Sequence, residues 1–166
     1  MSTTHSARPQ TMGSWTFELH EREDGGDLAA RIALKGTRGG EIQVGNVPFR
    51  MERETMSRTF RLLFEGRAMV RADAEGAFSN THHLFVERGL LEAGAAIGEI
   101  ARMDWVPQNL SGTAYELRAG EAAVGRVEKT SMWFRHFALR FDASVPLALR
   151  AFCLALLLVR LRQSNG

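Results

Sequence analysis

The sequence predicts a mainly β fold, a closed or strongly curled antiparallel sheet enclosing a hydrophobic C-terminal helix. Two observations carry this expectation. From Trp15 to Phe141 the chain is written in short segments of alternating apolar and polar residues, with turn-forming residues between them at close spacing. After them, residues 145–162 are apolar on nearly every side, and such a helix must be buried in protein or lipid. Its uninterrupted apolar run, Ala151 to Val159, is far shorter than the roughly 20 residues needed to span a bilayer, and Arg150 stands just before it. Burial inside the protein's own sheet follows.

A chain of 166 residues fits one domain with a continuous core and no need of disulfide or metal staples. Met1 to Ser14 is small and polar without periodicity, which predicts a disordered tail over 1–14 and a single domain over 15–166. Structure is expected to begin near Trp15. Trp15, Phe17 and Leu19 alternate with polar residues, and Leu28, Ala30, Ile32 and Leu34 do the same after the turn signal Asp24-Gly25-Gly26-Asp27. Further strand segments are Glu41 to Met51, Ser57 to Glu65 with Phe60, Leu62 and Phe64 on one face, Arg67 to Asp73, and Phe78 to Glu87.

An internal echo supports the β reading. Leu91-Glu92-Ala93-Gly94-Ala95-Ala96-Ile97-Gly98-Glu99-Ile100 matches Leu117-Arg118-Ala119-Gly120-Glu121-Ala122-Ala123-Val124-Gly125-Arg126-Val127 with one inserted residue, and Leu63 to Val70 is a fainter copy. Each copy reads as strand, glycine turn, strand. Gly66, Gly94 and Gly120 suit tight turns, while Gly98 and Gly125 fall inside strands where a bulge or a close backbone approach is expected. Glu121 to Thr130 and Met132 to Phe141 complete the strands. Ser144 is the expected N-cap of the final helix, with Pro146 in its first turn and Arg160 and Arg162 near its end.

These features resemble the tubby C-terminal-like superfamily of tubby domains, phospholipid scramblases and LURP-one-related proteins. The matching residues are Ile97-Gly98-Glu99-Ile100, Val124-Gly125-Arg126-Val127, Phe134 to Phe141 and Val145 to Leu161. The resemblance implies a closed barrel of about twelve strands around a central hydrophobic helix. It brings no diagnostic motif with it: there is neither a scramblase-type cysteine cluster nor a set of calcium-loop acidic residues.

Composition narrows the function. The formal charge of +2 lacks the concentrated basic block of a dedicated nucleic-acid binder, so no nucleic-acid partner is expected. Cys153 is the single cysteine and reads as packing, and the polar N-terminus has no apolar signal segment, so a cytoplasmic protein is expected. From Arg102 onward there are nine Arg/Lys against five Asp/Glu, while the first 101 residues hold twelve against fourteen. The C-terminal part is thus net +4, almost all of it arginine, whose planar fork suits phosphate.

Catalytic and metal patterns are absent from the sequence. His82 and His83 point to opposite faces of a strand, His20 and His136 have no metal spacing, and no Gly-x-Ser-x-Gly surrounds Ser79, Ser111 or Ser131. Glu52 and Glu54 read as a solvated strand face. No cofactor or metal is expected. The best candidate site is basic: Arg126 and Lys129 on one strand and Arg135, His136 and Arg140 on the next, with Trp133 and Phe134 between, able to hold a phosphate-bearing headgroup. Strand alternation argues against all five sharing one side. The expectation is a non-enzymatic binding module for phospholipid headgroups or another anionic ligand, cytoplasmic and peripheral to a membrane. The alternative is a protein-interaction or structural domain with no small-molecule ligand. An enzyme or carrier would need an open barrel cavity, which an internal helix fills.

Overall fold

The computed structural model describes residues 2–22 and 26–165. Twelve strands run as an up-and-down antiparallel meander: β1 (Ser2–Pro9), β2 (Thr16–Glu21), β3 (Leu28–Leu34), β4 (Gly39–Val44), β5 (Val47–Arg53) and β6 (Thr59–Phe64), then β7 (Arg67–Ala74), β8 (His82–Glu87), β9 (Ile100–Pro107), β10 (Ala114–Ala119), β11 (Ala122–Lys129) and β12 (Phe137–Asp142). A short helix, α1 (Arg88–Leu91), interrupts the β8–β9 connection, and α2 (Leu147–Ser164) ends the chain. The barrel is closed, because β1 pairs with β2 on one side and with β12 on the other.

The first strand corrects the expected disordered tail. Ser2 to Ala7 are in register with Asp142 to Phe137, and Ser6 to Pro9 with His20 to Phe17. Small polar residues suffice there because only His5 and Ala7 of this strand face the interior. Of the expected first turn, Asp24 and Gly25 lie outside the described residues.

Helix α2 occupies the barrel interior. Every residue from Ala148 to Val159 is buried, including Arg150 and Cys153, and the inward residues of the strands pack on it. This arrangement explains why the helix carries no polar stripe: it has no wet side. Burial pushes the Cys153 thiol far above its ordinary pKa, so it stays protonated and inert. No helix among the described residues is long and apolar enough to cross a membrane.

Several local expectations are revised. The segment Glu41 to Met51 is a hairpin rather than one strand, turning at Gly45 and Asn46. The register shifts between Leu62 and Leu63: Leu62 enters the core, while Leu63 lines a cleft on the outer wall with Glu41, Gln43 and Arg50, and Phe64 packs on Phe49 with ring centroids 5.4 Å apart. The echo at Leu117 is the β10–β11 hairpin and that at Leu63 is the β6–β7 hairpin, but the copy at Leu91 is a connection between β8 and β9. Gly94 and Gly98 both take positive φ there, and three residues between two such turns leave no room for a strand. Ser144 does not cap α2. Pro146 stands at the N-cap position, and no side chain caps the helix.

Candidate functional site

Strands of a meander alternate in direction, so alternate loops gather at the same end of the barrel. One end carries the loops before β2, β4, β6, β8, β10 and β12, and α2 reaches it with its C-terminus. Arg162 lies over the Trp15 ring at 5.0 Å, which places the helix end beside the β1–β2 loop. Five of these six loops present a large apolar side chain to solvent: Met12, Met56, Phe78, Leu110, and the trio Met132, Trp133 and Phe134. Met56, Phe78 and Leu110 are fully exposed. These seven outnumber the four large hydrophobics exposed elsewhere among the described residues, Leu28, Val47, Ile97 and Ile100. Clustered exposure of this kind marks an interaction surface.

Each tip is braced by hydrogen bonds, within its own loop or, for Phe78, from the neighbouring β5–β6 loop as well. Arg58 donates from Nη1 to the carbonyls of Gly76 and Ala77, both at 2.6 Å, and from Nη2 to that of Ser79 at 2.9 Å, bracketing Phe78. Ser131 Oγ accepts from the backbone N–H groups of Trp133 and Phe134. Asn109 bridges its loop to Thr113 and Ala114 around Leu110, and Ser57 Oγ accepts from Thr59 N–H beside Met56. The Ser14 N–H donates to Thr11 O across Met12 and Gly13. Local side-chain to backbone bonds of this type fix turn geometry.

The same end is basic. Lys35, Arg38, Arg53, Arg58, Lys129, Arg135, Arg160 and Arg162 lie in or next to these loops or at the end of α2, against Glu54 and Glu75. Arg135 stacks on Trp15 at 4.2 Å; burial, and then the charge of Arg162, lower its pKa. Arg135 Nη1, Arg160 Nε and Arg162 Nη1 have no hydrogen-bond partner among the described residues. A cleft of about 320 Å³ lies between Met12, Trp133, Phe134 and Arg135. The opposite loops carry Asp27, Glu65, Glu92, Glu99 and Glu121 against Arg22 and Arg88, so charge is polarised along the barrel axis.

The basic residues expected from sequence divide between two places. Arg126 and Arg140 are directly opposed in register on the outer wall, both exposed, and Arg126 also pairs with Glu128 at 3.2 Å. Lys129 ends β11 and Arg135 lies in the loop before β12, both at the apolar-tipped end, with His136, Trp133 and Phe134. The tips on the other four loops were missed because they sit singly in segments far apart in sequence.

Other candidates resolve into structure. His82 is turned into the barrel end, and burial, then the charge of Arg58, lowers its pKa to about 4. His83 faces outward, with Nδ1 2.6 Å from Asp104 and Arg102 alongside; no hydroxyl or thiol among the described residues is bonded to it. Glu52 pairs with Arg50 and Glu54 with Arg61. Among the described residues no group of three or more His, Cys, Asp or Glu side chains is arranged to hold a metal ion. No protein-family model matches the chain, and no curated protein matches it.

Proposed function

We propose that the protein is a non-enzymatic module that docks on an anionic membrane surface through the apolar-tipped, basic end of its barrel. The observation that carries this reading is the coincidence of seven exposed apolar side chains with a ring of arginines and lysines on loops braced from within. Apolar tips favour the interface because each, fully removed from water, contributes roughly 1.5–3 kcal/mol. Each cation near an anionic surface adds about 1 kcal/mol, lost as salt screens it. The tips enter the headgroup region while Arg135, Arg160 and Arg162 meet phosphates. The resemblance to the tubby C-terminal-like superfamily supports the same reading.

The test is co-sedimentation with phosphatidylserine-containing vesicles, followed by tryptophan fluorescence, since Trp133 is exposed and Trp15 half-buried at this end while Trp105 is buried. The wild type is expected to bind in a salt-sensitive manner with a blue shift. Met56→Ser with Phe78→Ser is expected to weaken binding with no change in melting temperature. Arg126→Gln with Arg140→Gln, on the outer wall, is expected to leave binding intact. Absence of wild-type binding at low salt overturns the membrane reading and leaves a protein-interaction or structural domain.

A further inference from the structure

At the other end of the barrel the N-terminus of α2 opens on a cleft of about 610 Å³, whose wall includes Thr3, His5, Glu21, Arg22, Pro146 and Arg150. We infer that this cleft is a binding site for a small oxyanion, a phosphate or the phosphate group of a small phosphomonoester, facing away from the membrane-docking end.

Three features converge there. The helix start is uncapped: Pro146 offers no side-chain acceptor, and the N–H groups of Leu147 and Ala148 have no acceptor among the described residues. The first N–H groups of an 18-residue helix, at the positive end of its dipole, are ready anion donors. Arg150 is only 5% exposed, yet no carboxylate among the described residues comes within ion-pair distance of it. Its guanidinium donates from Nε to Val145 O at 2.7 Å, from Nη2 to Asp142 O at 3.1 Å, and from Nη1 to Thr3 Oγ1. Those three bonds use three of its five N–H groups and leave two donors to spare on a side chain that lines the cleft.

His5 supplies the third feature. It is 8% exposed, lines the same cleft, and its Nδ1 is buried with no hydrogen-bond partner among the described residues. Burial, and next the charge of Arg150, lower its pKa, so the imidazole is neutral and can turn an N–H toward an acceptor. A buried cation with no counter-ion among the described residues is costly, and an oxyanion at Arg150 removes that cost. Among the described residues, Asp142 and Glu21 are the acids that act on these two groups. Asp142 acts on Arg150 and Glu21 on His5, each more weakly than burial, and Arg22 offsets Glu21 in the cleft wall. The cleft is larger than a phosphate ion, which leaves room for an attached organic group.

The inference does not depend on the membrane reading, because it concerns the opposite end of the molecule and needs no lipid. The experiment is calorimetric titration of the lipid-free protein with inorganic phosphate, phenyl phosphate and acetate at matched ionic strength, beside NMR amide shifts. Saturable binding of phosphate or phenyl phosphate, with shifts at Leu147 and Ala148, is expected. Tighter binding of phenyl phosphate assigns the site to a phosphomonoester, and equal binding assigns it to free phosphate. Thr3→Asp places a carboxylate beside Arg150; it is expected to fold, to melt higher than wild type in phosphate-free buffer, and to bind phosphate at least tenfold more weakly. Arg150→Met is expected to lose binding, and Thr3→Asp keeps the test open where that variant does not fold. No saturable heat with either phosphate probe, binding of acetate as strong as phosphate, or unchanged binding by Thr3→Asp overturns the site.

Discussion

Gly125 lies beneath the ring of Phe141, its direct partner across β11 and β12: a Cβ at position 125 would fall 2.1 Å from Phe141 Cδ1 and 2.9 Å from Cγ. The ring cannot step aside, because Phe141 is buried and the Arg150 guanidinium sits 5.6 Å from its centroid. Gly125→Ala is therefore an overpacking change, expected to destabilise by about 1–3 kcal/mol. Urea denaturation measures it. An unchanged midpoint would show that the ring moves freely.

Deletion of residues 2–14 is expected to abolish cooperative folding. Removing β1 leaves β2 and β12 with unpaired edges, takes Thr3 from Arg150, and uncovers the helix along one side. Size-exclusion chromatography should show aggregation. A monomeric truncated protein with wild-type melting temperature would mean that the barrel closes without its first strand.

The contrast between these two positions shows what the sequence made legible. A bulge beside Gly125 and burial of the final helix were readable, because a glycine inside an alternating strand and a helix with no polar side each have few physical explanations. The strand Ser2–Pro9 was not, since only His5 and Ala7 enter the core and its edges are satisfied by distant partners. The candidate site was legible only locally. Met132, Trp133 and Phe134 adjoin Arg135, but Met12, Met56, Phe78 and Leu110 are single apolar residues among turn formers, and only the meander brings them to one end. Their shared signal is a large apolar residue at the tip of a short polar turn, as in Thr55-Met56-Ser57 and Asn109-Leu110-Ser111.

Stability is expected to fall in mild acid through His82. Its native pKa is lowered from 6.5 to about 4, so between these values the unfolded chain binds the extra proton and the native state does not. The stabilisation is complete above about pH 6.5 and is lost as pH falls toward 4, roughly 3 kcal/mol in all. His5 acts in the same direction. Denaturation curves across this window should be flatter for His82→Gln than for wild type. Parallel curves would show that His82 titrates normally.

Order in the loop tips is expected to matter as much as charge, and Arg58 separates the two. Its guanidinium spans the carbonyls of Gly76, Ala77 and Ser79, whereas a lysine ammonium keeps the charge but cannot span three acceptors in fork geometry. Arg58→Lys should change stability by no more than about 1 kcal/mol, since the bonds sit at the surface. Amide exchange across residues 76–80 should quicken, and affinity for anionic vesicles should fall several-fold, because the exposed Phe78 must then be ordered during insertion. Faster exchange with unchanged vesicle affinity would show that the tip inserts without being held. Unchanged exchange would show that the turn around Ser79, with Thr81 N–H donating to its Oγ, is sufficient by itself to hold Phe78 outward.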